Sequence, residues 1–523
     1  MAPSAEFVMS RIVSVNPATG EVLGELDSAG PTEVRAAVAR ARAVQPEWNA
    51  WGVRNRIEVI RRFQQILLSQ KTDIARRITQ ESGKPQVEAL LTEVLVVLDA
   101  ARFLIDNAFA ILRDEKLPHA NLALKTKSGR ILHEPYGVIG IISPWNYPFS
   151  IPAIEAMSAL VAGNAVVLKP SELTPLVAIE LQRMLRQAGV PNDVFQVLVG
   201  EAETGAALVT SEIGKLVFTG SVATGKRIAQ IAAERLLPVV LELGGKDPML
   251  VLEDAGVDVA SSGAVWGAFV NAGQTCLSVE RCYVHQSLYP TFVEACCEKA
   301  RKLRVGKGTD PATEIGPLIH ERQVRIVEAQ VEDARQRGAR VLTGGQRLRE
   351  LGPTFYAPTV LADVDHDMRV MREETFGPVL PIASFRDDAE AVRFANDSDF
   401  GLAASVWTRD RARGERLARQ INAGTVMVND AVSCFSVSEA PHGGVKASGI
   451  GRTHGRWGLE EMVRVKYLDS DLLPRMKKIW WFGYGGNFGA EMEGFLDLLF
   501  APSLREKFRA GVRSAGALWQ KKL

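Results

Sequence analysis

From about residue 31 to residue 113, apolar side chains recur every three or four positions among charged ones. The segments PTEVRAAVARARAVQPEW and RNRIEVIRRFQQILLSQKTDIARRITQESGK carry this spacing most clearly. They predict amphipathic helices, with Thr32 as N-cap of the first and Gly83 as the stop of the second. The pattern then changes. LALKTKSGRILHEPYG alternates apolar and polar positions like an exposed hairpin turning at Ser128–Gly129, and VIGIISPWNYP is a β-branched run closed by proline, a buried strand. Beyond it, strands (NAVVLKPSE, VFQVLVG, KLVFTGS, PVVLELGG) alternate with helices (TPLVAIELQRMLRQAG, ATGKRIAQIAAERL). A second block of the same kind spans about 246 to 440. This βαβ order predicts an α/β fold with a mostly parallel sheet covered on both faces.

At 523 residues the chain is too long for one core, so two or more domains are expected. Its 62 basic and 61 acidic side chains leave a net charge of +1, which gives no pull toward nucleic acid. The five cysteines are odd in number and form no CxxC pair. Neither a disulfide framework nor a metal site is expected, and the pattern suits a reducing, cytoplasmic setting. The first 22 residues lack the basic and apolar regions of a signal peptide, and no apolar run is long enough for a membrane span.

Five short stretches could carry chemistry. FTGSVATG ends a strand and opens a helix with Gly220, Ser221 and Gly225, an anion site or simply a tight turn. LKPSE places Lys169 and Glu172 past a strand, able to hold ribose hydroxyls or to form an incidental ion pair. LELGGK puts Glu242 at a strand end, where partial burial would suit it to general-base work. SPWNYP puts Asn146 at another, an amide able to donate to an oxyanion or to its own backbone. NAGQTCLS sets Cys276 among small and polar residues, unlike Cys296 and Cys297, which lie in an apolar helix pattern. From these residues alone Cys276 is a packed thiol or a nucleophile.

The order of these motifs, with NPATGEV, EETFGP and GGVKASGIGR, resembles the NAD(P)-dependent aldehyde dehydrogenase superfamily from Asn16 to Asp469. The resemblance implies a Rossmann-like dinucleotide-binding domain (1–118 and 138–245, with 441–460 returning to it) and an α/β catalytic domain (246–440). It further implies a small oligomerisation β-sheet (119–137 and 461–470) and a homodimer or homotetramer. It implies Cys276 as nucleophile, Glu242 as the base that activates water, and Asn146 as oxyanion donor. NAD would lie along Trp145, Lys169, Glu172, Gly220, Ser221, Gly225, Glu374 and Phe376, with NADP a poorer alternative because Glu172 repels a 2′-phosphate. The implied substrates are broad or medium-to-long-chain aldehydes. GQTCLSVERCYV also resembles a subgroup labelled succinate-semialdehyde dehydrogenase, although no arginine constellation for a second carboxylate is visible. Two departures stand out: His442 replaces a common phenylalanine, and NDAVSCFSVSEAP, with Cys434, Phe435 and Ser436, has no template. A different class of reading is a membrane-peripheral or scaffold protein on an inactive dehydrogenase fold.

Residues 471–523 extend beyond the family's usual end. Ser503 and Glu506 fit a capping box, and Leu504, Phe508 and Val512 follow at helical spacing among Arg505, Lys507, Arg509 and Arg513. Trp480, Trp481, Phe482 and Tyr484 precede them. The pattern suits a peripheral membrane contact or packing against the enzyme's own oligomer.

Overall fold

A computed structural model describes residues 11–121, 124–478, 480–486 and 488–514, with the side chains of 512–514 left aside. The start of the N-terminal reading, the side chains of Val512 and Arg513, and the end of the tail lie outside these. The described residues fall into two compact units, one within Met1–Leu112 and Glu134–Arg464, the other within Arg113–His133 and Val465–Leu523.

The first unit holds two large sheets. One orders its strands Gly449–Ile450, Val239–Glu242, Lys215–Thr219, Val138–Ile142, Ala165–Lys169, Phe195–Val197, parallel except for the first. Alternate side chains face opposite sides, as a pleated strand requires. Ile139, Ile141, Val166, Leu168 and Val217 join one buried cluster, and Val138, Ala165, Val167, Leu216 and Phe218 join another. Helices cover both faces, Gly52–Ser69, Ser150–Val161 and Pro175–Gln187 on one side, Pro31–Ala50 and Val222–Glu234 on the other. Each fully buried Val, Leu or Ile contributes about 2 kcal/mol. The second sheet is seven-stranded, with Asp247–Val251 an inner strand between Val279–His285 and Ala403–Trp407. The chain crosses from one sheet to the other between Glu242 and Asp247.

Two local expectations need correction. The first helix starts at Pro31 with Gly30 as N-cap, because proline at the first helical position presets φ, so Thr32 lies inside it. Ser128 and Gly129 are not a turn but part of the strand Lys127–Pro135, which pairs with Glu115–Leu117. Beyond Thr453 the chain forms the helix Gly455–Glu460 and the strand Val463–Asp471. Gly83 does stop its helix, in the left-handed region at φ 77°, where a Cβ would also come 2.4 Å from Pro317.

In the second unit Val463–Asp471, Lys127–Pro135 and Glu115–Leu117 form a sheet, with the first as an edge. Helices Phe488–Phe500 and Leu504–Ser514 pack together as a hairpin. Ser503 Oγ donates to Glu506 Oε2 and accepts from the Glu506 N–H, the expected capping box.

Candidate active site

Strand register brings the motifs together. Ile142 pairs with both Lys169 and Phe218, and Thr219 pairs with Glu242. Asn146, Lys169, Ser221 and Glu242 therefore collect at the carboxyl ends of the six-stranded sheet, where open α/β sheets bind ligands. Cys276 and Gly245 precede strands of the other sheet, so its amino ends face this edge.

Cys276 is half-buried and borders three cavities. The first is a solvent-open cleft of about 880 Å³ lined by Trp145, Asn146, Gly220, Ser221, Glu242, Glu374 and Phe376, among others. Trp145 and Phe376 pack edge to face, 5.5 Å between ring centroids. Lys169 and Glu172 stand at the neighbouring strand end, outside that lining, with Nζ 3.2 Å from Oε2. Ser221 Oγ caps the helix Val222–Glu234 by accepting from the Thr224 N–H. Gly225 is buried, and a Cβ there would lie 2.4 Å from Leu243, so glycine permits the close approach of helix and strand. The second cavity is a narrow tunnel lined by Tyr147, Trp266, Leu277 and Phe435 among others. Ser436 borders it as well. Cys434 is not part of its lining, and burial pushes that thiol up to about 12. The third is a small chamber lined by Glu155, Glu242, His442 and His454 among others.

The backbone before Cys276 is held in an uncommon shape. Asn271, Ala272 and Gly273 all have positive φ (54°, 55° and 72°), costing of order 1 kcal/mol or more for each non-glycine. Asn271 Nδ2 donates to the carbonyls of Asn146 and Gln274, and Asn146 Nδ2 donates to Gln274 O at 3.0 Å, leaving a second N–H to spare. Gly273 cannot carry a Cβ, which would fall 2.1 Å from Gly377 O, and Gly245 likewise abuts Cys276 O at 2.2 Å.

The surroundings of Cys276 favour the neutral thiol. Burial, followed by the negative charges of Asp247, Glu374 and Glu242, holds the thiol well above its ordinary pKa. Glu242 is 6% exposed, and neither carboxyl oxygen has a hydrogen-bond partner among the described residues. Burial and then the charge of Glu155 push it well above the carboxylate range, with Arg452 opposing. Glu374, pushed up to about 8 by burial and then Glu280, accepts from the Gly245 N–H at 3.0 Å. Among the described residues no cluster of His, Cys, Asp or Glu is arranged to hold a metal ion, and all five cysteines are free.

Sequence reasoning did not single out Glu155, His454, Tyr147 or Trp266. Glu155 sits in Ser150–Val161, a helix buried on every side, so no polar face marked it. Trp266 had no signal beyond its helix pattern.

Residues 5–468 match the aldehyde dehydrogenase family. The 4,4′-diapolycopene aldehyde oxidase of Methylomonas sp. is 39% identical over 495 residues, covering 94% of this chain and 92% of that protein. The mitochondrial succinate-semialdehyde dehydrogenase of Arabidopsis thaliana is 39% identical over 455 residues, covering 87% and 85%. The NAD+ complex structure of an aldehyde dehydrogenase from Bacillus cereus superposes with a TM-score of 0.85 at 35% identity, covering 88% of this chain and 94% of that one. The chain belongs to the aldehyde dehydrogenase family, the NAD(P)-dependent oxidoreductases of aldehydes.

Proposed function

We propose that this enzyme oxidises aldehydes with an apolar tail to carboxylic acids, using NAD, through a covalent bond to Cys276. The observation that carries the substrate class is the tunnel. Its twelve lining residues include no Lys, Arg or His. The far carboxylate of a semialdehyde would enter it without a cationic partner, at a cost of several kcal/mol. The alternative, succinate-semialdehyde dehydrogenase, draws on relatives of that name but finds no cation there. A steady-state panel of succinic semialdehyde, hexanal and decanal, read as NADH formed, tests the choice. A higher kcat/KM for the semialdehyde removes the apolar reading.

The cleft's residues fit a dinucleotide. A glycine-led helix start at Ser221 suits a pyrophosphate, the Lys169–Glu172 pair suits two ribose hydroxyls, and Trp145 with Phe376 offers aromatic walls. Glu374 and Phe376 would flank the second ribose, with Gly220 and Gly225 allowing close approach. Bound there, NAD supplies the hydride acceptor, and NADP is the poorer alternative.

The chain's own residues do the rest. Cys276 Sγ gives its proton to the solvent of the open cleft as it adds to the carbonyl carbon. The spare Asn146 N–H and the Cys276 N–H hold the developing oxyanion, each such donor contributing about 3 kcal/mol to the transition state. Once the acyl group is on Sγ, Glu242 takes a proton from water, the water oxygen adds to the acyl carbon, and the C–S bond breaks. The unpartnered, desolvated carboxyl is a stronger base than a solvated one.

The domain assignment follows from this reading: 1–118, 138–245 and 441–460 bind the dinucleotide, and 246–440 supply Cys276. Residues 119–137 and 461–470 form an oligomerisation arm. Its edge strand Val463–Asp471 exposes Val465, Tyr467 and Leu468, an edge suited to pairing with another copy in a dimer or tetramer.

The C-terminal hairpin is assigned to a lipid surface. Phe500, Leu504 and Phe508 are exposed around its tip, Leu504 by 87%, beside exposed Arg505 and Arg509. The 495-residue similarity to the diapolycopene enzyme is longer than the 5–468 family match. It therefore extends into this tail. An apolar tunnel and a lipid-facing hairpin suit the same lipophilic substrates.

A further inference from the structure

The mechanism above leaves one buried carboxyl unused. Glu155, 3% exposed, has its Oε1 accepting from Thr219 Oγ1 at 3.3 Å and its Oε2 without a partner among the described residues. Thr219 is the strand-register partner of Glu242. Glu155, Thr219, Glu242 and Cys276 line the same small chamber, which has room for one or two waters.

The other groups facing the chamber leave the two carboxyls to each other. His442 and His454 are held by burial at about 4 and about 3, hence neutral. Arg452 is the cation whose charge acts on Glu242, and its Nη1 is committed to the carbonyls of Gly444 and Gly451. Asp247 and Glu374 add negative field at Cys276. Two carboxyls confined with so little positive charge cannot both ionise freely and share a proton, titrating as a pair. Burial pushes Glu155 up to about 8, within the working range of a proton acceptor.

We propose that Glu155 is the relay partner of Glu242, receiving through the chamber the proton that Glu242 removes from the deacylating water. This rests on Glu242 as the base. Water adds its oxygen to the acyl carbon and gives one proton to Glu242. The adduct collapses with the C–S electron pair returning to Sγ, and the carboxylic acid departs. The pair then holds two protons: Glu155 releases the shared one to solvent and takes the Glu242 proton in its place, restoring the Glu242 carboxylate. Glu155 touches no reacting atom and acts through Glu242.

p-Nitrophenyl acetate tests this without cofactor: the p-nitrophenolate burst reports acylation of Cys276 and the steady rate reports deacylation. Glu155→Gln, which keeps a hydrogen-bond acceptor for Thr219, is expected to keep the burst. Its steady rate should fall about tenfold, and its rising pH limb should move down by about one pH unit as the repulsion on Glu242 disappears. Glu155→Asp is expected to recover part of the wild-type limb. A Glu155→Gln pH profile superimposable on wild type, or an aspartate variant no different from the glutamine one, overturns the relay. Should Glu155→Gln not fold, the proton inventory of wild-type deacylation in mixed H2O and D2O decides: a bowed plot is expected, and a straight line overturns the proposal. No burst in the wild type would instead remove Cys276 as nucleophile, and with it the reading on which the relay stands.

Discussion

His442 Nε2 lies 3.8 Å from Glu242 Oε2, yet the two are not an ion pair at neutral pH. Burial, aided by Arg452, pushes the imidazole from 6.5 down to about 4. The unfolded chain therefore takes up this proton more readily than the folded one. Its contribution to stability is fully present above pH 6.5 and is lost as pH falls toward 4, amounting to about 3 kcal/mol. Urea unfolding of wild type and His442→Phe across that window checks this. The phenylalanine variant is expected to lose less stability on acidification, and parallel curves would show that the imidazole is not buried neutral.

On the proposed reading, Glu172 sets the cofactor preference. Its carboxylate stands beside Lys169, where the proposed adenosine ribose would lie, and would repel a 2′-phosphate. Glu172→Gln is expected to raise kcat/KM for NADP relative to NAD by about tenfold. An unchanged ratio, measured with one aldehyde and both cofactors, would move the ribose site elsewhere.

The neutrality of the tunnel makes its specificity adjustable. Trp266 is half exposed on the tunnel lining. Trp266→Arg adds the missing cation and removes apolar wall, so kcat/KM for succinic semialdehyde is expected to rise and that for decanal to fall, each by about tenfold. A uniform loss for both substrates would mean that the far end of the substrate does not reach Trp266.

The exposed hairpin tip makes a separable forecast. Full-length protein is expected to co-sediment with anionic lipid vesicles, and protein ending at Ser470 is expected to stay in the supernatant with its turnover of hexanal intact. Equal binding by both forms would leave the tail to another partner.

Much of the site was legible in the sequence because its chemistry sits at strand ends. Asn146, Lys169, Ser221 and Glu242 each follow a β-branched run, and a parallel sheet aligns such ends at one edge. What was not legible lies where pattern carries no direction. Glu155 is in a helix buried on all sides, so it reads as core. Trp266 and Tyr147 line a tunnel whose walls are built from the same residue types as a core. The protonated state of Cys276 depends on Asp247, Glu374 and Glu242 gathering around it from distant positions. Ser128–Gly129 looked like a turn because small residues mark turns and extended strands alike.

The most direct test of the covalent account is a rapid-mixing measurement of NADH formed by Glu242→Gln with saturating NAD and hexanal. If Cys276 carries the acyl group and Glu242 brings in the water, the variant forms a burst of about one NADH per active site and then stalls, whereas Cys276→Ala forms none. Steady turnover at the wild-type rate in the glutamine variant, or any sustained NADH production by Cys276→Ala, would contradict it.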